Sequence, residues 1–398
     1  MKMTKANLLI IFLLYFVAVT TSCSNSQDKE AKNEDSTLVE KKEGIDLTKY
    51  DRFYNDAVRL LAGLPAEEGS QLMNLDTNKL WKEHQEKFGS FFENILAEKY
   101  PKVYEFQKEN LKEVNDSLHT LFYPFSGPDF IYANIFFPNA KKTVMLGLEP
   151  VGNIPNPVEM KDSEQVIKFF KAVDIAMDSV FRLGYFMTFE MGRDFNRVVE
   201  LNGTMPIICI FMAQTGHRIL NIERLAINDN GELLQAVAER DIDSPKDDYV
   251  SGGRITYMKE GDLEPRELLY FSHDVSQEHL KTSPGFMKYL NTLDVDVTFL
   301  KAASYLMGWM DHMRNFALEK SDYVFQDDSG IPYHYFEEGK WDFQFWGKYQ
   351  RTLKVFKPNF QADLQKIYST PNMAKPLEFG IGYGIRIKQS NLMLAKKK

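Results

Sequence analysis

Apolar residues early in the chain recur with a helical period. Leu80, Trp81, Phe88, Phe91, Phe92 and Leu96 follow one another at intervals of three, four and seven, the stripe of an amphipathic helix with one face turned to a core. Leu60, Leu61 and Leu64 precede a Pro-Ala-Glu-Glu-Gly turn. Pro101 ends the striped helix, and residues 103–118 start another. Residues 46–119 therefore read as a helical N-terminal layer.

The pattern changes at residue 120. Residues 120–125 form an apolar, strand-like run closed by Ser126-Gly127-Pro128-Asp129. Residues 130–137 read as a helix ended by Pro138-Asn139, and residues 143–148 as a second apolar strand followed by Glu149. Strand, small-residue loop, helix, strand is a βαβ-like unit with a short connection. A further helix is expected over residues 163–184, with Ser163 at its N-cap. Residues 206–212, 219–227, 254–258 and 268–272 then read as strands, with Asn228-Asp229-Asn230-Gly231 as a turn. Residues 295–309 fit strand or helix, because a short apolar run does not distinguish them. Residues 323–326 read as a strand before Asp327-Asp328-Ser329-Gly330, and residues 377–387 as the last strand. Lys396-Lys397-Lys398 reads as a solvated tail. The expected fold is α/β or α+β: a helical N-terminal layer, then over residues 120–398 a mixed sheet with flanking helices. The body, residues 46–398, is long enough for one large domain or two.

The N-terminus has a different pattern. Lys2 and Lys5 precede apolar residues 8–19, then Thr20, Thr21, Ser22 and Cys23. Twelve helical residues span about 18 Å, short of the roughly 30 Å hydrocarbon core, so an export signal is expected over residues 1–22 rather than a transmembrane helix. Val19-Thr20-Thr21-Ser22-Cys23 resembles the lipobox of bacterial lipoproteins, with Thr20 where that family carries Leu or Val. The resemblance implies cleavage before Cys23, its acylation (palmitate on sulfur), and a body held by its lipid anchor at the cell envelope, the outer membrane being the expected one. Ten of residues 24–44 are charged and none is aromatic, so residues 23–45 read as a disordered charged tether.

Composition adds exclusions. A net charge of −8 argues against nucleic acid as a partner. With Cys23 lipidated, Cys209 has no disulfide partner, and its apolar surroundings mark it as a buried small hydrophobe. The chain carries no G-x-S-x-G, H-E-x-x-H or Walker motif. Asp311 and His312 are adjacent and point to different helix faces. No metal site and no cofactor is assigned.

Two clusters carry candidate chemistry. Ser126, Gly127 and Asp129 sit in the loop after one expected strand and Glu149 ends the next, where open α/β sheets bind ligands. Asp129 also fits a helix N-cap and the loop ordinary turn chemistry. His217, the run His273-Asp274, and Asp327, Asp328 and Ser329 follow or interrupt other expected strands, and their convergence would suit acid–base hydrolysis or an oxygen-rich metal site. The aromatic residues Tyr333, Tyr335, Phe336, Trp341, Phe343, Phe345, Trp346 and Tyr349 fit either core packing or a sugar-stacking groove. The stretches 123–129 and 146–152 resemble those of a bacterial envelope family of unassigned activity. The leading expectation is an envelope lipoprotein binding a glycan, peptide or envelope-protein partner. The alternative is an exported hydrolase using the His/Asp set.

Overall fold

Five short segments rich in Val, Leu, Phe and Tyr pair in parallel at the centre of the molecule: β1 (Thr120–Tyr123), β2 (Lys142–Gly147), β6 (Arg266–Ser272), β7 (Val297–Leu300) and β8 (Tyr323–Gln326). A computed structural model describes residues 44–73, 79–157, 173, 202–235 and 249–398 of the chain. The signal, Cys23 and all of the expected tether but residues 44 and 45 lie outside the described residues, as does the helix expected over residues 163–184 except Val173, which is helical and buried. Among the described residues the sheet has eleven strands, in the order β10-β9-β11-β8-β7-β1-β2-β6-β5-β3-β4. On one side β3 (His217–Ile227), β4 (Leu233–Gln235) and β5 (Val250–Lys259) extend it in antiparallel fashion. On the other, β11 (Asn391–Lys397) runs antiparallel between β8 and β9 (Trp341–Gly347), and the short β10 (Ala374–Lys375) closes the edge.

Alternate residues of the parallel strands enter two separate cores, as the period of two requires. Leu121, Tyr123, Met145, Leu268, Tyr270, Val297, Phe299 and Phe325 face one. Phe122, Val144, Leu146, Leu269, Phe271, Leu300 and Val324 face the other. Strands covered on both faces read as continuous apolar runs, which is why they stand out in the sequence. The first core is covered by α1 (Phe53–Leu61), α2 (Lys79–Lys99), α3 (Pro101–Asn110), α4 (Lys112–Ser117), α5 (Phe130–Phe136) and α6 (Met205–Gln214). The second is covered by α7 (Gln277–Thr282), α8 (Gly285–Asn291), α9 (Asp311–Lys320) and α10 (Ala362–Ser369). The fold is α/β, a mixed sheet with helices on both faces.

Three local readings need correction. Residues 206–212 form helix α6, not a strand. Met205 to Ala213 are all buried, so the helix has no polar face and shows no period, and Pro206 occupies its first turn, where a missing N–H costs nothing. Residues 377–387 are not a strand: Gly382 takes a left-handed φ of 59° and Tyr383–Ile387 is a 3-10 turn. The last strand is β11 instead, and it includes Lys396 and Lys397 of the expected tail. Lys396 pairs with Glu113 at 2.5 Å and Lys397 donates to the Glu319 carbonyl at 2.9 Å. Residues 295–309 divide into β7 and a 3-10 turn at Leu306–Gly308. Of the late aromatic residues, Phe336, Trp341, Phe345, Trp346 and Tyr349 are core.

Phe299 lies at the centre of the first core, its ring 4.4 Å from Tyr123, 5.5 Å from Phe137 and 5.6 Å from Phe136 and Phe325. Phe299→Ala should lower unfolding free energy by about 3–5 kcal/mol, read as a fall in denaturant midpoint. A change below about 1 kcal/mol would mean this core is not tightly packed.

Candidate functional site

The chain leaves β1 towards β2 through α5 on one face of the sheet. The connection from β6 to β7, on the far side of β1, carries α7 and α8 on the other face. Loops that diverge to opposite faces leave a gap above the carboxyl ends of the strands, the switch point of an open α/β sheet. A crevice of about 130 Å³ lies there, walled by the residues that follow β1, β2, β6 and β7.

The β1 loop is bound tightly to its neighbours. Ser126 N–H donates to the Leu146 carbonyl at 2.9 Å, extending the pairing of β1 with β2 beyond the strand end. Phe125 and Gly127 take φ values of 59° and 51°, so the loop contains a strained non-glycine turn of the kind that persists only where its surroundings enforce it. Asp129 caps α5 through Tyr132 N–H and accepts from the Tyr123 hydroxyl at 2.8 Å. It also pairs with Lys301 Nζ at 2.5 Å, both side chains buried, and the ammonium lies 4.0 Å from the Tyr132 ring centre. Lys301 follows β7, so the pair ties the two sides of the switch point together. Such a pair is costly to break, because either partner alone would be a buried charge.

Glu149 sits at the end of β2, only 4% exposed. The Tyr270 hydroxyl lies 3.0 Å from its carbonyl and 3.4 Å from its Oε2. Gly147 makes its seat, and Gly127 lies in ordinary contact with it. A Cβ at Gly147 would overlap the Glu149 carboxylate and lie 2.6 Å from the Tyr270 hydroxyl, and one at Gly127 would come within 3.8 Å of the same carboxylate. His273 N–H donates to the Gly147 carbonyl at 3.0 Å, which places His273 and Asp274 at the same rim.

The fourth wall is the loop after β7, where Ala302, Ser304 and Tyr305 all have positive φ. A buried acidic layer holds this shape. Asp327 accepts from Ala302 N–H at 2.9 Å and from Ser329 N–H and Oγ; Ser329 Oγ accepts from Ala303 N–H at 2.8 Å. Tyr305 and Asn391 donate to Asp328. Tyr383 closes the loop from outside, its hydroxyl 2.8 Å from the Ala302 carbonyl and 2.7 Å from Ser304 Oγ. Burial and the neighbouring Asp327 carboxylate push Asp328 up to about 7.

The crevice therefore gathers Ser126, Gly127, Asp129, Glu149, His273 and Asp274. Asp327, Asp328 and Ser329 stand behind it as supports of the β7 loop rather than in its lining. His217 is not brought to this rim. It pairs with Lys259 near the start of β6, so the seven residues of β6, roughly 20 Å, separate it from His273. It is a core histidine between Phe130 and Tyr257, and burial pushes it down to about 4. Burial and the adjacent His279 push His273 down to about 4 as well. Lys301, Tyr270 and Tyr383 are the site residues that sequence reasoning missed. Lys301 had a signal, a lysine directly after an apolar run; Tyr383 had none.

The lining carries three carboxylates, Asp129, Glu149 and Asp274, against one ammonium, among apolar Phe125, Leu148, Val275, Leu306 and Met310. This suits a neutral or cationic ligand with hydroxyl donors and disfavours phosphates. Among the described residues no group of three or more His, Cys, Asp or Glu is arranged to hold a metal ion. Comparison of the chain with family models, curated proteins and solved structures returns no match. Function must then be argued from the site itself.

The buried acidic layer predicts a pH dependence. Asp328 binds its proton more tightly folded than unfolded, where its pKa is about 3.9, so its contribution to stability falls as pH rises from about 4 to about 7. His217 and His273 act with the opposite sign over about the same window, so the diagnostic is a difference. Asp328→Asn should gain stability relative to wild type as pH rises from about 4 to about 7 in urea titrations. Parallel curves would show that Asp328 ionises normally.

Proposed function

We propose that this protein is a cell-envelope lipoprotein, anchored through Cys23, whose body binds a small ligand bearing vicinal hydroxyls in the switch-point crevice. The ligand chemistry is that of a sugar ring or a nucleoside. The observation that carries the reading is the Glu149 carboxylate. It stands at the carboxyl end of β2, against Gly127 and Gly147, where open α/β sheets place an acid to accept hydrogen bonds from a diol. The apolar rim would cover the ring's C–H face, and the acidic wall excludes phosphorylated forms. Location supports the sugar, since nucleoside cofactors are made in the cytosol and sugars are abundant in the envelope.

The competing hydrolase needed His217, His273, Asp274, Asp327 and Asp328 to meet. His217 lies elsewhere, Asp327 and Asp328 are committed to the β7 loop, and a His273 held near 4 is a weak base at neutral pH. Binding without acid–base turnover is the reading favoured.

Calorimetry of the body with glucose, galactose, N-acetylglucosamine and adenosine tests it. At least one should bind, its phosphorylated form more weakly. Glu149→Gln should cost about tenfold in affinity through loss of charge-assisted hydrogen bonds. Gly147→Ala, which displaces the same carboxylate, should act in the same direction. Binding indifferent to both substitutions, or no binding at millimolar concentration, overturns the crevice assignment.

Anchoring is tested separately. Cells fed labelled palmitate should label wild type, and Cys23→Ala should lose both label and the membrane fraction. A Cys23→Ala protein that still sediments with membranes would sink the anchor.

A further inference from the structure

The turn Leu306–Gly308 has a hollow on each side. Leu306 and Met310 face the crevice, whereas Tyr305, Gly308 and Trp309 line an open groove, whose other walls are Pro332–Tyr335 and Pro358–Asp363. Three aromatic side chains are left exposed along it: Trp309 at 69%, Phe360 at 38% and Tyr335 at 37%. An indole this open contributes little to the core, and its neighbours hold the aromatic surface rigid. The Arg314 guanidinium lies 3.7 Å from the Tyr335 ring centre and is itself fixed by Asp311 at 2.5 Å and the Met307 carbonyl at 3.0 Å. Phe360 stacks on buried Tyr349 with rings 5.4 Å apart and 18° from parallel.

The groove's polar groups are His334, Asn359, Gln361 and Asp363, with no lysine or arginine in its lining. Gln361 is used internally, accepting from Tyr333 N–H and donating to the Asp328 carbonyl. His334 and Asp363 stand 4.0 Å apart at the rim. Rigid aromatic faces flanked by an amide, an imidazole and a carboxylate match a neutral sugar ring. Its C–H face carries partial positive charge and packs on the negative face of an aromatic ring, while its hydroxyls hydrogen-bond at the edge. Among the described residues the lining holds no lysine or arginine and the adjoining Arg314 is paired with Asp311, which disfavours a polyanionic chain; loops and helix starts, not a free strand edge, build the walls, so a peptide could not add to the sheet here.

We infer that the groove is a second subsite for the same ligand, which is then a neutral oligosaccharide with one unit in the crevice and another, further along the chain, stacked on Trp309. This rests on the sugar reading of the crevice, and one experiment separates the two. Glucose, N-acetylglucosamine, their β-1,4-linked oligomers of two to six units and a proline-rich peptide are titrated into wild type, Trp309→Ala and Glu149→Gln. Trp309 is exposed, so its removal leaves the fold intact. In wild type the affinity should rise at least about tenfold from monomer to oligomer. Trp309→Ala should abolish that gain and leave monomer binding unchanged, and Glu149→Gln should weaken both. Monomer binding with no gain from length, or a gain that survives Trp309→Ala, overturns the groove and leaves the crevice standing. Trp309-dependent oligomer binding that ignores Glu149→Gln does the reverse. Trp309-dependent binding of the peptide alone, or of nothing, overturns the oligosaccharide.

Discussion

Each central strand of this protein has an apolar core on both faces, so its side chains have no polar work to do until the strand ends. Polar groups placed earlier would be buried without partners. Chemistry is therefore confined to the loops, and the sheet order decides which loops meet. With β1 between β2 and β7, and connections leaving to opposite faces, the carboxyl ends surround one gap. The Lys301–Asp129 pair spans that gap. It links the β7 end to the start of α5 and holds the β1 loop in a conformation that Phe125 would not adopt alone.

The β7 loop has the same character. Ala302, Ser304 and Tyr305 occupy left-handed backbone regions that cost these residues about 1–3 kcal/mol each. Backbone hydrogen bonds to Asp327 and Ser329, and one from the Tyr383 hydroxyl, offset that cost. A buried carboxylate layer behind a cavity is expensive, and its use here is geometric: it positions backbone and lies outside the crevice lining. Asp327 and Asp328 thus hold the β7 wall, which begins at Lys301, while Glu149 faces the same cavity from the end of β2, and the chain beyond the β7 loop supplies Trp309 to the groove.

Much of the fold was legible in residues alone. Residues 323–326 are strand β8, and Thr120 to Tyr123, Lys142 to Gly147 and Arg266 to Ser272 are close to the runs expected, because double burial leaves unbroken apolar stretches between turns. The same rule misled at residues 206–212, where a helix buried all round is equally unbroken. It failed again at β11, whose lysines look solvated although the backbone pairs on both sides. Ser126, Gly127, Asp129 and Glu149 were visible as a group, since small and acidic residues directly after apolar runs mark strand ends.

By itself the sequence determined a body of α/β or α+β class, the strand ends where polar groups could be placed, and an N-terminus that resembles a lipoprotein signal, because each rests on local pattern. Only the tertiary structure decided which strand ends are neighbours. It put His217 at the opposite end of the sheet from His273, withdrew Asp327 and Asp328 behind a loop, and brought Lys301 and Tyr383 to the wall. Strand order is set by packing between residues far apart in the chain, and no local pattern of side chains encodes it.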